Sequence, residues 1–166
     1  GIPPDFRCSG NLLPSSSHGV YSHGYQRFPR VIDYIQKGYI DINAVPEKIT
    51  GFGAVERWDG HLGMGNLNAK MAMQRAVELA AQLGIGMVAM SNTNHWMCGG
   101  AYGWQAAEAG CIGICWTNTC PNMPAWGAID GRTVTKVGQG TLIRRRENLK
   151  NGIPVNEEIW KKICEL

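Results

Sequence analysis

A long amphipathic segment, predicted to be a helix over 67–83, is followed at once by a short apolar run, and this order limits the folds open to the chain. The apolar side chains repeat at the three- and four-residue spacing of one buried helix face, at Ala69, Ala72, Met73, Ala76, Ala80 and Leu83. Asn66 is expected to cap the start of this helix, and Gly84 to end it. The apolar run 85–90 then predicts a buried strand. The chain is therefore expected to belong to the α/β class.

The flanking segments extend the α/β pattern. In chain order, the further predicted elements are a short helix over 28–37 that ends before Gly38, one or two strands with a tight turn over 47–58 up to Asp59-Gly60, a helix over 101–109 closed by Gly110, and a strand over 112–117. The strand 85–90, the helix 101–109 and the strand 112–117 are expected to form a β-α-β unit with parallel strands.

Length and composition exclude several classes of protein. A chain of 166 residues that is 44% hydrophobic and 17% charged is globular, with one core as the default. No apolar run reaches the length of about 18 residues that spans a membrane, so no membrane partner is expected. The net charge of +3 is too small to predict a nucleic-acid partner. The N-terminal residues 1–7 lack the apolar core of a secretory signal, so a cytoplasmic location is expected.

The cysteines and the glycine-rich string at 84–89 do not predict a metal or dinucleotide site. No two of the six cysteines are spaced Cys-x-x-Cys, which favours reduced, structural thiols over zinc ligands. The string Gly84-Ile85-Gly86-Met87-Val88-Ala89 has the glycine spacing of a dinucleotide-binding loop. That loop follows a strand and opens a helix, whereas this string follows a predicted helix and opens a strand. A Rossmann-type site is therefore not predicted.

Two short polar blocks carry the candidate chemistry. The block 20–27 contains His23 and Arg27, and the block 92–97 contains His95. Imidazole exchanges protons near neutral pH, and the planar fork of arginine matches a carboxylate. His95 is expected just beyond the carboxyl end of the strand 85–90, where α/β proteins bind ligands; a helix cap is the alternative. The blocks predict a site for a carboxylate-bearing substrate that gains or loses a proton.

The other two histidines receive different predictions. A metal-dependent hydrolase that uses all four is disfavoured, because His18 and His23 are five residues apart, off one helix face, and have no carboxylate beside them. His18 and His61 are interpreted as surface or turn residues. Asn118 follows the predicted strand 112–117, so Asn118 and Thr119 are expected at the same edge as His95. No metal site is predicted.

Longer motifs resemble a known family. They are Ser15 to Gly24 (SSSHGVYSHG) with Arg27 and Pro29-Arg30, Gly63-Met64-Gly65-Asn66, and Asn94 to Glu108 (NHWMCGGAYGWQAAE) with Gly113 to Asn118 (GICWTN). These motifs resemble the malate/L-lactate dehydrogenase-like family of NAD(P)H-dependent 2-oxo-acid reductases, and most of all its 2,3-diketo-L-gulonate reductase branch. The resemblance runs from about Ser15 to Gly127 and resumes from about Gly138 to Val155.

The resemblance implies a fold and a set of roles. The expected fold is the family's non-Rossmann fold, reduced here to a β-α-β core with flanking helices. The implied reaction is reduction of a 2-oxo or 2,3-dioxo acid to the 2-hydroxy acid with NADH, with NADPH as the alternative. His23 and His95 would lie at the substrate carbonyl, with His23 favoured as proton donor and His95 polarising the carbonyl. Arg27 would hold the carboxylate, and Asn118 and Thr119 would contact the cofactor.

The chain also departs from the family pattern. Between Gly127 and Gly138 it lacks the segments in which the family places most of its cofactor-binding residues, so an internally truncated member is expected. The expected division is an irregular segment 1–14, a substrate-side domain of 15–60 plus 141–166, an α/β core of 61–127 and a junction of 128–140. A sheet cut in this way leaves unpaired edges, which predicts a homo-oligomer. The alternative function is a non-catalytic remnant or assembly module that keeps the substrate-side half of the site.

Overall fold

The computed structural model describes Ser16, Gly19 and the ranges 21–118 and 139–165, without the side chains of Ser22 and residues 139–144. Two 3₁₀ turns, Tyr21–His23 and Tyr25–Arg27, open this part of the chain. The helices are α1 (Phe28–Gln36), α2 (Gly65–Leu83), α3 (Gly100–Glu108), α4 (Gln139–Asn151) and α5 (Glu157–Cys164), and the strands are β1 (Glu47–Phe52), β2 (Val55–Gly63) and β3 (Met87–Thr93). The predicted α/β class is confirmed.

The ends of the first three helices follow local glycine signals. Gly38, Gly84 and Gly110 come one or two residues after α1, α2 and α3, with φ of 72°, 82° and 77°. Glycine adopts this left-handed region easily because glycine has no Cβ. A residue in this conformation ends a helix. The Gly84 N–H also donates to the Ala80 carbonyl at 2.8 Å. The predicted helices at 28–37, 67–83 and 101–109 are therefore confirmed to within one or two residues.

The start of α2 differs from the prediction. The cap position is Met64, which makes no side-chain capping bond. Asn66 lies inside the first turn and is only 1% exposed. The predicted capping role of Asn66 is wrong because the first turn of α2 is buried. The polar side chain of Asn66 lies in the interior and does not close the helix end.

The three described strands form one sheet in the order β1-β2-β3. β1 and β2 are an antiparallel hairpin that turns at Gly53 and Ala54, and β2 then continues through Asp59 and Gly60 to its end. β2 pairs in parallel with β3. The connection between these two strands is α2, which packs on both of them. The parallel β-α-β unit is therefore β2-α2-β3.

The predicted strand at 112–117 is absent. Residues 112–118 have no regular secondary structure, and Ile112, Ile114 and Trp116 are 96%, 73% and 69% exposed. The β-α-β unit predicted from 85–90, 101–109 and 112–117 is therefore wrong, since the parallel unit lies one connection earlier. An apolar run indicates burial but does not identify a pairing partner, and no described strand pairs with this segment.

A small apolar core includes part of the loop after β3. Its buried members are Val31, Ile40, Met64 and Met97, with Phe28, Tyr34 and Ile35 packed against them. These side chains come from α1, the segment after it, the start of α2 and the loop between β3 and α3. The core therefore fixes the relative positions of four segments that meet at the candidate site.

A buried carboxylate joins the sheet to α2. Glu56 on β2 is 2% exposed. Its Oε1 and Oε2 accept from Nη2 and Nε of Arg75 at 3.0 Å each. Lys48 Nζ donates at 2.6 Å and Trp58 Nε1 at 3.0 Å. The Arg75 and Lys48 hydrogen bonds hold the pKa of Glu56 well down, at about 2.

Other properties of the described part bear on the class of protein. None of its helices is long and apolar enough to cross a membrane. Cys98, Cys111, Cys115 and Cys164 are free thiols. Cys8 and Cys120 lie outside the described residues, as does most of the predicted junction 128–140.

Candidate active site

The structure brings the two candidate catalytic histidines together. His23 closes the first 3₁₀ turn, and His95 lies in the loop between β3 and α3. Their ring centroids are 5.2 Å apart, with 31° between the ring planes. At this separation both rings can approach the same small group of a substrate.

Arg27 and His95 line one narrow cleft. The cleft has a volume of about 30 Å³ and is lined by Arg27, Arg30, Val31, Tyr34, Ile40, Met64, Gly65, Asn94, His95 and Met97. The lining contains two guanidinium groups and no carboxylate. Within the described part of the chain, neither Arg27 nor Arg30 forms a salt bridge. A positively charged cleft of this kind favours an anion.

Burial and like charge hold the pKa values in this cluster low. Burial and then the charge of Arg27 lower the pKa of His23 below its usual 6.5. Burial, Arg27 and His23, in that order, lower the pKa of His95 to about 4. Burial and the neighbouring Arg30 lower the pKa of Arg27 in turn. His95 is therefore a neutral imidazole near neutral pH, and a bound anion would raise the pKa of both histidines.

A backbone hydrogen bond fixes the tautomer of His95. The Met97 N–H donates to His95 Nδ1 at 3.0 Å. An accepting Nδ1 has no proton, so the neutral ring carries its proton on Nε2. Met97 has φ of 64°, and this unusual conformation belongs to the turn that makes the bond. His95 is therefore prepared to donate a hydrogen bond from Nε2.

Asn94 and Gly65 hold the His95 loop in place. Asn94 Nδ2 donates to the carbonyls of Tyr39, Leu62 and Gly63 at 3.0, 2.7 and 3.2 Å. The backbone of Gly65 packs directly on the loop, because a Cβ there would lie 2.5 Å from the His95 carbonyl carbon and closer still to the Asn94 carbonyl. The motifs that contain Asn94 and Gly65 are visible in the sequence, but only the folded chain shows what they contact.

Only some of the other residues considered in the sequence lie in the described part of the chain. Asn118 is exposed and does not line the cleft, while Thr119 and His18 lie outside the described residues. His61 is exposed, with Nε2 3.5 Å from Glu47 and Nδ1 3.6 Å from Asp59, which confirms its predicted surface position. No group of three His, Cys, Asp or Glu side chains in the described ranges is placed to hold a metal ion.

The described cleft is small and positively charged. Its volume is about 30 Å³. Asn118, the described residue for which cofactor contact is predicted, lies exposed outside the cleft. The cluster can bind a carboxylate and donate a hydrogen bond to a carbonyl oxygen.

A match to a family profile shows the family to which this chain belongs. The family profile described as malate/L-lactate dehydrogenase matches residues 7–136, and the chain belongs to this family. The matched range includes His23, Arg27, His95 and both predicted cofactor residues. The described helices α4 and α5 lie beyond it.

Curated relatives are identical to this chain at about half of the matched positions. The 2,3-diketo-L-gulonate reductase of Pasteurella multocida is 54% identical over 128 residues, which cover 77% of this chain and 39% of that protein. The protein of the same name from Haemophilus influenzae is 52% identical over the same coverage. The chain therefore spans about two fifths of the length of these relatives.

Solved structures agree on the fold. A malate dehydrogenase from Entamoeba histolytica superposes with a TM-score of 0.61 at 36% identity, over 63% of this chain and 30% of that one. A malate dehydrogenase from Pyrococcus horikoshii gives 0.60 at 33% identity, over 62% and 30%. The fold is therefore that of malate/lactate dehydrogenases.

Proposed function

We propose that this chain acts as a reductase that converts a 2-oxo or 2,3-dioxo carboxylic acid into the 2-hydroxy acid. The observation that carries the proposal is the approach of His23 and His95, 5.2 Å between ring centroids, beside Arg27. Relatives named 2,3-diketo-L-gulonate reductase support the substrate class.

Arg27 binds the carboxylate of the substrate. It lines the cleft without a salt bridge to any described residue, so its planar fork is free to form two parallel hydrogen bonds with a carboxylate. The neighbouring Arg30 lowers the pKa of Arg27, and an anion relieves this repulsion. Binding of the negatively charged substrate therefore also changes the pKa of the two histidines beside Arg27.

His95 polarises the carbonyl, and His23 delivers the proton. A neutral ring with its proton on Nε2 donates a hydrogen bond well, but it gives up that proton only by becoming an unfavourable anion. His23 therefore protonates the developing alkoxide. The bound carboxylate offsets the charge of Arg27, which raises the pKa of His23 and favours its protonated form.

NADH, with NADPH as the alternative, is the proposed hydride donor to C2 of the oxo acid. The dehydrogenase and reductase relatives support a nicotinamide cofactor. We propose that Asn118 and Thr119 contact it, as the family resemblance implies. The residues of the described cleft act on the oxygen and the carboxylate.

Oxidation of NADH by the purified chain, with a panel of 2-oxo and 2,3-dioxo acids, tests the proposal. Turnover that falls at least about 100-fold in His23→Ala and His95→Ala, the scale of general acid catalysis, would support it. His61→Ala is the matched control because His61 is exposed outside the cleft. No turnover, and no binding of oxo acids that depends on Arg27, would reject it in favour of a non-catalytic assembly module.

We propose further that the chain acts as a homo-oligomer in the cytoplasm. Among the described residues, no strand pairs with the outer side of β1 or β3, and the apolar side chains of Ile112, Ile114 and Trp116 are exposed. Such surface favours association. A monomer mass by light scattering at micromolar concentration would reject the oligomer.

A further inference from the structure

The turns that carry His23 and Arg27 need support from other segments. They are two consecutive 3₁₀ turns of three residues each, closed by the bonds Gly24 N–H to Tyr21 O and Arg27 N–H to Gly24 O, both 3.0 Å. Short 3₁₀ turns have poor hydrogen-bond geometry and little stability of their own. The positions of both side chains therefore depend on what holds the turns from outside.

Ser16 is the first support. It is 2% exposed, and its Oγ accepts the Tyr25 N–H at 3.1 Å. It also packs directly on Gly24, where a Cβ would overlap the Ser16 hydroxyl. The residue between the two 3₁₀ turns is thus in contact with Ser16, whose own position must be fixed in turn.

Asn148 on α4 fixes Ser16 and the first turn together. Its Nδ2 donates to the Ser16 carbonyl at 3.2 Å. Its amide also meets the Tyr21 hydroxyl, at 3.2 Å from Nδ2 and 3.4 Å from Oδ1. Asn148 is 9% exposed, whereas Glu147 and Leu149 on either side of it are exposed. One buried amide therefore bridges both ends of the segment 16–21.

We propose that Asn148 is a positioning residue that holds His23 and Arg27 at the candidate active site. Tyr21 lies two residues before His23, and Ser16 contacts the Gly24–Tyr25 junction between His23 and Arg27. This inference rests on the proposed function, because it assigns Asn148 to the same site. It extends the site to α4, a helix beyond the residues 7–136 that the family profile matches.

Loss of the bridge has two consequences. Replacement of Asn148 by alanine removes the donor to the Ser16 carbonyl and the partner of the Tyr21 hydroxyl, so the segment 16–21 loses its tether to α4. The imidazole of His23 then becomes more hydrated and less well placed relative to His95. Misplacement by about 1 Å at a reacting group costs on the order of 100-fold in rate.

Asn148→Ala is the test, with Leu149→Ala as the matched control because Leu149 is 68% exposed on the same helix. The His23 ring is followed by NMR titration, which needs no substrate or cofactor. Burial is the main cause of its low pKa, so the titration midpoint should move up toward 6.5 in Asn148→Ala and stay unchanged in Leu149→Ala. An unchanged midpoint in folded Asn148→Ala protein would overturn the proposal.

Turnover gives the second measurement. Asn148→Ala should lower kcat for oxo-acid reduction at least about tenfold, with a smaller change in KM. If Asn148→Ala does not fold, Tyr21→Phe, which removes one bond of the bridge, should shift the His23 midpoint in the same direction by less; no shift would refute the role. An inactive wild type counts against the proposed function alone, since the NMR titration still decides the role of Asn148.

Discussion

Addition of one methyl group at Gly65 should displace the His95 loop. Gly65 is the first residue of α2, where alanine is the better helix former by up to about 1 kcal/mol. Propensity alone therefore predicts that Gly65→Ala stabilises the protein. The added Cβ would lie 2.5 Å from the His95 carbonyl carbon, inside the 3.0 Å that real Cβ atoms keep, and closer still to the Asn94 carbonyl. Both neighbours are backbone and cannot swing away.

The clash of the added Cβ with the loop should outweigh the gain in helix propensity from alanine. The loop must retreat by about half an ångström or more, and overpacking of this kind costs about 1–3 kcal/mol. A net destabilisation of about 1–2 kcal/mol corresponds to roughly 2–8 °C in Tm for a chain of this size. Because His95 moves with the loop, binding of a 2-oxo acid should weaken as well.

Urea and thermal unfolding measure the first effect, and titration of a 2-oxo acid into the protein measures the second. Gly100→Ala is the matched control, since Gly100 is the first residue of α3 and a Cβ there meets nothing within 4 Å. It should be neutral or stabilising. A Gly65→Ala protein as stable as Gly100→Ala, with unchanged binding, would refute the close packing of α2 on the loop.

Two further predictions concern charge. Glu56→Gln should lower the free energy of unfolding by about 2–3 kcal/mol near neutral pH. The folded protein favours the carboxylate over the protonated acid by roughly 1.36 kcal/mol for each unit by which folding lowers the pKa. The pKa of Glu56 falls from 4.5 to about 2 on folding, so this stability is present above pH 4.5 and is lost as the pH falls toward 2. The stability of Glu56→Gln should not show this loss as the pH falls. The same dependence of stability on acid pH in the variant and the wild type would contradict the hydrogen-bond network around Glu56. Arg27→Met should raise the pKa of His95 from about 4 and that of His23 from its lowered value, since it removes a positive charge beside both rings. NMR titration measures both shifts, with the exposed Arg57→Met as control, and midpoints that match those of the control would contradict the assignment.

Local signals made most of the helices predictable. Gly38, Gly84 and Gly110 ended three predicted helices because the left-handed conformation after a helix is a local property of glycine. The strand at 112–117 could not be judged in the same way, since a strand exists only where another strand pairs with it. Its apolar residues indicated burial, while the pairing partner of β3 came from β2, earlier in the chain.

The candidate site was predictable in part. The side-chain chemistry of His23, Arg27 and His95 indicated an acid substrate, and the family resemblance placed the two histidines at one carbonyl. Local patterns did not indicate the contact between Asn148 and Ser16, because 132 residues separate them in the chain. The division into domains and the contacts of Thr119 stay predictions.

The end of the sheet beside His95 is strained. Where β2 and β3 lose register, residues 60–62 of β2 lie opposite Asn92 of β3, and His61, Leu62 and Asn92 have φ of 48°, 58° and 46°. The left-handed conformation costs on the order of 1 kcal/mol at a residue such as Leu62 and less at asparagine, which favours local opening. The Asn94 bonds to the Leu62 and Gly63 carbonyls oppose it.

Strain at this end and regular pairing elsewhere should divide the sheet into two zones of amide protection. Deuterium should enter the backbone around residues 60–63 and 92–94 well before it enters the β1-β2 hairpin. The loop that carries His95 can then open and close around a ligand while the rest of the sheet stays intact. A ligand held by Arg27 and His95 would slow exchange in that zone alone, so the pattern of protection would report occupancy of the site without any turnover.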